Sequence, residues 1–239
     1  MQILLELRNA GEVEVMIYIV THKEAEIQED DFYRGLCVGK YRADGMLSER
    51  DGENIAMYND RINELTGLYW IWKNTTDNLV GMCHYRRFFQ DGEQRAGEEK
   101  ILEALSNADI ILSDYVYLPW TVRQNIVQIE GHDLDAAAYR SFEQGLREHQ
   151  PDYVDAFDKV LNGRHFHVCN MFVTRREILN EFCEWLFSFI LEATDRVNVG
   201  NGDYFQRRLC GYYGETMWSV WMQKQNYKVK TMPILRIGG

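Results

Sequence analysis

Apolar and polar positions along this chain switch between two periods. Short unbroken apolar runs of strand length occur at Met16-Ile17-Tyr18-Ile19-Val20-Thr21, Leu79 to Cys83, Asp109-Ile110-Ile111-Leu112-Ser113 and Val168-Cys169-Asn170-Met171-Phe172-Val173. Runs with no polar alternation read as strands covered on both faces. Between them the period lengthens to that of a helix. Asn59 to Asn74 predicts a helix capped by Asn59 or Asp60, with Ile62, Leu65, Leu68, Tyr69 and Trp72 on one stripe. Glu98 to Ala108 predicts an amphipathic helix, and Asp133 to Leu161 polar helical sequence. A helix from Arg176 to about Ala193 and another from about Tyr204 to Gln225 follow, and Tyr227 to Ile234 closes the chain as a strand. Buried strands alternating with helices define an α/β fold with a mainly parallel central sheet flanked by helices.

Residues 1–15 stand apart from this pattern: Ile3, Leu4, Leu5 and Leu7 precede a polar stretch before the first strand. They read as an N-terminal extension that is not native, with Met16 as the biological start. Residues 16–239 then form one domain.

Parallel sheets bind ligands at the carboxyl ends of their strands. That singles out Thr21-His22-Lys23, His84-Tyr85-Arg86-Arg87, Ser113-Asp114 and Thr174-Arg175-Arg176. The densest polar cluster among them is His84-Tyr85-Arg86-Arg87. Adjacent guanidinium groups match phosphate oxygens in bidentate fashion, so a pyrophosphate is a natural ligand; the alternative is ion pairing with acidic neighbours. His22 ends the first strand, where an α/β nucleotide site meets base or ribose. On the helix that follows Gly52-Glu53-Asn54-Ile55, which also bears Asn63, Glu64 and Thr66, Trp70 and Lys73 fall off the apolar stripe. They line a sugar or base pocket or form a second packing surface. Asn170 beside Met171 in an apolar strand needs buried partners or a sugar hydroxyl. Glu215, between Gly214 and Thr216 and near Gly211, is a candidate general base or sugar-binding carboxylate, or a surface residue.

Metal ligation has one literal candidate, Asp133-Leu134-Asp135 beside His132, but it falls in helical sequence and not at a strand end. Mg or Mn is the ion such a motif would take. His165 and His167 alternate across a strand start and are read as poorly placed to share a metal. No GxGxxG, P-loop or GxSxG motif occurs, which disfavours a dehydrogenase, kinase or serine hydrolase.

Composition narrows the partners. The net charge of -11 lacks the basic footprint of a nucleic-acid binder. Five cysteines without a CxxC pair argue against a disulfide scaffold and suit the cytoplasm. No run of about 18 apolar residues could cross a bilayer.

Several segments together resemble a bacterial family of capsular and exopolysaccharide biosynthesis proteins, catalogued as a domain of unknown function and regarded as glycosyltransferases. They are IYIVTHK from Ile17, GENIAMYNDRINELTGLYWIWKN from Gly52, VGMCHYRRFF from Val80, CNMFVTRREILNEFCEWLF from Cys169 and RLCGYYGETMW from Arg208. The resemblance implies a GT-A-like nucleotide-diphospho-sugar transferase fold, with 16–115 as the donor half and 116–239 as the acceptor half. It implies a nucleotide-diphosphate sugar as donor, and a saccharide or lipid-linked saccharide as acceptor, which would bring the chain to the inner membrane surface. Arg86 and Arg87 then stand where such enzymes usually hold a metal through Asp-x-Asp. On this reading Thr21, His22, Asn54, Trp70, Lys73, Tyr85, Arg86, Arg87, Asn170 and Met171 bind the donor, and Glu215, Asp203 and His84 are the catalytic candidates. Thr216 follows Glu215 where the family favours a basic residue. A non-catalytic carbohydrate- or nucleotide-binding protein is the alternative; a glycoside hydrolase would need two carboxylates across the bond, and no pair is convincingly placed.

Overall fold

The computed structural model describes residues 14–130, 132–200 and 203–238, except for the side chains of 127–135. The extension expected over 1–15 therefore lies almost wholly outside the described residues, as do the side chains of His132, Asp133 and Asp135.

Twelve strands are present among the described residues: β1 (Val15–Thr21), β2 (Tyr33–Cys37), β3 (Leu47–Ser48), β4 (Leu79–His84), β5 (Arg87–Asp91), β6 (Gln94–Arg95), β7 (Ile110–Ser113), β8 (Tyr115–Tyr117), β9 (His165–His167), β10 (Phe172–Arg175), β11 (Val229–Met232) and β12 (Ile234–Arg236). The helices are α1 (Asn59–Ile62), α2 (Leu65–Asn74), α3 (Glu98–Leu105), α4 (Val122–Glu130), α5 (His132–His149), α6 (Val154–Leu161), α7 (Arg176–Phe187), α8 (Ile190–Asp195), α9 (Tyr204–Arg207), α10 (Leu209–Glu215) and α11 (Met217–Trp221).

The central sheet runs β11-β7-β10-β4-β1-β2-β3, with β5, β6 and β12 as an annex on β4. The sheet is mainly parallel, as expected, with β10 reversed at its centre between β4 and β7. Side chains alternate across it. Tyr18, Val20, Val80, Met82 and Phe172 face one apolar core, shared with α2, α7, α10 and α11. Ile17, Ile19, Leu79, Cys83 and Val173 face a second, closed by α3 and β5. Both faces are covered, which is why the strands read as unbroken apolar runs. All five cysteines are buried and free.

The reversal of β10 corrects one expectation. Phe172 pairs with Met82 and Arg175 with Leu79, so β10 starts where β4 ends. Thr174-Arg175-Arg176 therefore sits at the amino edge of the sheet, where Arg175 pairs with Asp109 at 2.8 Å and Arg176 lies 3.6 Å from Asp77. The Cys169-Asn170 turn takes its place at the carboxyl edge.

Three predicted helices are interrupted, among them the span from Arg176 to about Ala193, which divides into α7 and α8. The stripe from Asn59 to Asn74 breaks at Asn63, whose φ of 56° and ψ of -134° leave the helical region. The span from Tyr204 to Gln225 divides into α9, α10, α11 and a final 3-10 turn. Asn170 is not in a strand: Cys169 and Asn170 have φ of 71° and 48°, forming a left-handed turn before β10.

Candidate functional site

A cavity of about 430 Å³ opens at the carboxyl edge of the sheet, where β1, β4 and the reversed β10 meet. Its walls come from segments far apart in sequence. His22 and Lys23 follow β1, Tyr85 and Arg86 form the two-residue tip of the β4–β5 hairpin, and Cys169 precedes β10. Asn63 and Glu64 come from the break between α1 and α2, Arg208 from the α9–α10 junction, and Glu215 from the end of α10.

The floor is acidic. The Cys169 backbone amide donates to Glu215, and the Asn170 side-chain amide donates to Glu64 at 2.8 Å. Both carboxylates thus engage the same left-handed turn. The Glu215 carboxyl is pushed up to about 7, first by burial and next by the charge of Glu64, against the opposing pull of the Cys169 amide and Arg87. The sequence pattern missed this pairing. Glu64 shows no isolated motif; it belongs to the floor because the helix breaks one residue earlier.

The mouth is basic. Lys23, Arg86, Arg87 and Arg208 line it. Among the described residues, none of these side chains lies within ion-pair distance of a carboxylate. The alternative of ion-paired surface arginines is therefore not what the structure shows for Arg86 and Arg87. Lys23 and the Arg86 guanidinium instead sit over the Tyr85 ring at 5.7 and 5.1 Å. The Tyr204 hydroxyl accepts from Arg208 at 2.5 Å. His22 packs edge-on against Tyr85, and its pKa is lowered by burial and then by Arg208, Lys23 and Arg86. His84 is buried deeper: its Nε2 lies 2.5 Å from the Cys169 carbonyl oxygen, and burial lowers its pKa. With this nitrogen committed, His84 braces the turn.

Two features mark the cavity as built for a ligand. Of the three non-glycine residues with positive φ among those described, Asn63 and Cys169 line it, and Asn170 follows Cys169 and donates to Glu64, which lines it. Such backbone is costly and persists where surrounding contacts impose it. Gly211 shows how: a Cβ there would lie 2.1 Å from the Asn63 side-chain nitrogen, so only glycine lets α10 press against the break. The second feature is unmet hydrogen bonding. Asn63 Oδ1, Tyr85 Oη, Asn170 Oδ1 and Arg208 Nε are buried without partners. Each forgoes the contribution of a hydrogen bond.

The structure brings together His22, His84, Tyr85, Arg86, Arg87, Asn170 and Glu215 of the residues singled out in the sequence. Others it places elsewhere. Trp70 is buried in the core, edge-on to Tyr18 and donating to the Asp51 carbonyl. Lys73 lies over the Trp72 ring at 3.6 Å, beside Glu53. Asn54 donates to the Gly52 carbonyl at 2.9 Å in an exposed turn. Thr21 is buried and donates to the Lys23 carbonyl, shaping the loop, and Met171 is buried in the second core. Asp203 caps α9, accepting from the Gln206 amide at 2.9 Å in a reciprocal capping box. Trp70 takes the second of its two alternatives, a further packing surface, because the loop before α1 covers a second side of α2.

His165 and His167 share one face of β9, as residues two apart in a strand must. They do not alternate. His167 is buried, with its Nδ1 at 2.6 Å from the Ser113 carbonyl oxygen. Among the described residues, the ligand atoms close enough to share an ion belong to exposed Glu148, His149 and Glu192, none of which lines the cavity. Arg196 already bridges the two glutamates.

This α/β sheet, with one reversed central strand and a cavity at its carboxyl edge, is similar in fold to a solved glycosyltransferase. The chain superposes on the solved apo structure of WbbM, a bifunctional glycosyltransferase, with a TM-score of 0.79 at 23% identity. The match covers 95% of this chain and 46% of that one, so the chain spans under half the length of that relative. Residues 16–226 match the model of the family described as Domain of unknown function (DUF4422), and the chain belongs to that family. No curated protein matches it in sequence.

Proposed function

We propose that this chain is a glycosyltransferase that moves a sugar from a nucleotide-diphosphate sugar to a hydroxyl of a saccharide or lipid-linked saccharide acceptor. The observation that carries the reading is the polarity of the cavity: unpaired cations at the mouth and two carboxylates on the floor. A nucleotide sugar has the matching polarity, with an anionic diphosphate joined to a neutral ring of hydroxyls. Arg86, Arg87, Arg208 and Lys23 hold the diphosphate, and Tyr85 supports Arg86 from below. Glu64, Asn63 and Asn170 receive the sugar hydroxyls.

The acceptor oxygen attacks the anomeric carbon while the bond from that carbon to the diphosphate oxygen breaks. The bonding electrons leave with the nucleoside diphosphate. Fixed guanidinium groups at the leaving oxygen stabilise the charge as it develops. In an inverting reaction the acceptor proton passes to Glu215, whose raised pKa makes it a base matched to neutral pH. The resemblance of the IYIVTHK, GENIAMYND and VGMCHYRRFF segments to capsule and exopolysaccharide proteins supports a bacterial surface polysaccharide as the product. Among the described residues, no helix is long and apolar enough to cross a membrane.

The Glu64–Glu215 pair favours a second reading that the sequence did not: hydrolysis of a glycoside between two carboxylates. Thermal unfolding of the protein against nucleoside diphosphates and nucleotide sugars, with and without Mg or Mn, separates the readings. Stabilisation by one nucleotide class and release of its diphosphate on adding acceptor support transfer. Cleavage of a glycoside with no nucleotide requirement selects hydrolysis. Nucleotide binding without turnover selects a non-catalytic binding protein.

A further inference from the structure

The ribbon of β8 and β9 has one face in the core and one in water. Val116 pairs with Phe166, and both pack inward. The flanking pairs, Tyr115 with His167 and Tyr117 with His165, take the opposite face. There the rings lock one another: Tyr115 stacks on His167 at 4.0 Å and meets His165 edge-on at 4.8 Å, and Tyr117 tilts over His165 at 5.5 Å. Tyr115 remains 39% exposed and Tyr117 75%. Ring faces left in water are unfavourable without a partner, and these are already ordered, so covering them costs little entropy.

The ribbon adjoins the cavity. The Ser113 hydroxyl accepts from the Val168 amide at 3.0 Å and donates to the Val168 carbonyl at 2.9 Å, which fixes the start of β8 to the end of β9. The next residue, Cys169, is cavity wall, and its amide holds Glu215. His167, beneath Tyr115, is two residues from that wall, a backbone reach of about 7 Å. Asp114 stands exposed at the head of β8. None of the cavity's four basic side chains belongs to this face. Flat apolar rings rimmed by hydroxyls, with a carboxylate beside them, fit a sugar ring, whose faces are C–H and whose rim is hydroxyl.

We propose that Tyr115, Tyr117 and His165 form a platform on which a saccharide acceptor stacks, so that its terminal sugar extends into the cavity toward Glu215. The inference deepens the transferase reading and rests on it. The test is saturation-transfer NMR with neutral tri- and tetrasaccharides of glucose, galactose, mannose and N-acetylglucosamine, on the wild type, Tyr117→Ala and Tyr117→Phe. The expected result is that at least one oligosaccharide binds the wild type, that Tyr117→Ala weakens it about tenfold, and that Tyr117→Phe, which keeps the ring, retains it. Equal binding by Tyr117→Ala, or none by the wild type, overturns the platform, as does a Tyr117-dependent dimer in sedimentation. Nucleoside-diphosphate stabilisation of the same samples keeps the failures apart. If it persists while saccharides do not bind, the platform alone is wrong; if it is absent as well, the transferase reading falls too.

Discussion

The backbone amide of Cys169 donates to the carboxylate of Glu215, joining the turn before β10 to the end of α10. One bond therefore does two things: it holds Cys169 at a φ of 71°, and it fixes the candidate base at the cavity floor. Glu215 is both a structural acceptor and a carboxyl destabilised by its surroundings, and the two roles can be separated experimentally.

The Glu215 carboxyl, raised to about 7, takes up a proton more readily in the folded than in the unfolded chain. Its penalty on stability is absent at pH below the ordinary carboxylate range and grows as pH rises toward about 7. Glu215→Gln keeps an acceptor for the Cys169 amide and removes the charge. We expect this variant to equal the wild type in urea denaturation at about pH 4, below the ordinary carboxylate range, and to exceed it at about pH 8 by on the order of 1–3 kcal/mol. Transfer is expected to be lost, and the wild-type rate to rise with pH through about 7. A wild type as stable as the variant at pH 8 would remove the buried-carboxylate account.

Arg86 stands unpaired at the hairpin tip over Tyr85. Replacing it with alanine removes charge-assisted bonds to the diphosphate and leaves no buried partner behind. Arg86→Ala is expected to weaken nucleoside diphosphate binding by about 10- to 100-fold in calorimetry, with the melting temperature of the free protein unchanged. Undiminished affinity would move the diphosphate away from this turn.

Gly211→Ala places a methyl group 2.1 Å from the Asn63 side chain, at a point where the helix break cannot retreat without moving Glu64. The variant is expected to lose about 1–3 kcal/mol of stability and to lose transfer beyond what the folded fraction accounts for. Unfolding curves and activity on the same preparation check both.

Asp203 and Trp70 were candidates for base and sugar platform on sequence grounds, and the structure gives them other work. Asp203→Ala is expected to cost about 1 kcal/mol through loss of the α9 cap, with unchanged kcat. Trp70→Ala removes a core side chain at a cost of about 3–5 kcal/mol, with unchanged donor affinity in the protein that remains folded. A large kcat loss in Asp203→Ala at constant stability would return it to the chemistry.

The α/β class, the positions of β1, β4 and β7, the basic turn after β4, and Glu215 as a residue of interest are legible in the order of residues. These rest on local signals: the period of apolar residues, a polar cluster at the end of a buried run, and glycines crowded into a helix. Which strand runs backward is set by packing in three dimensions. An apolar run such as Val168 to Val173 records that it is buried, not the direction in which it pairs, and the reversal of β10 is what brings Cys169 to the cavity and sends Arg175 and Arg176 to the far edge. The break at Asn63 was equally out of reach, because its helical stripe is intact in sequence and the break is held by contacts with α10, a segment about 150 residues later. Glu64 became half of a carboxylate pair, and Tyr117 part of an exposed aromatic face, through pairings across the chain that no local pattern encodes.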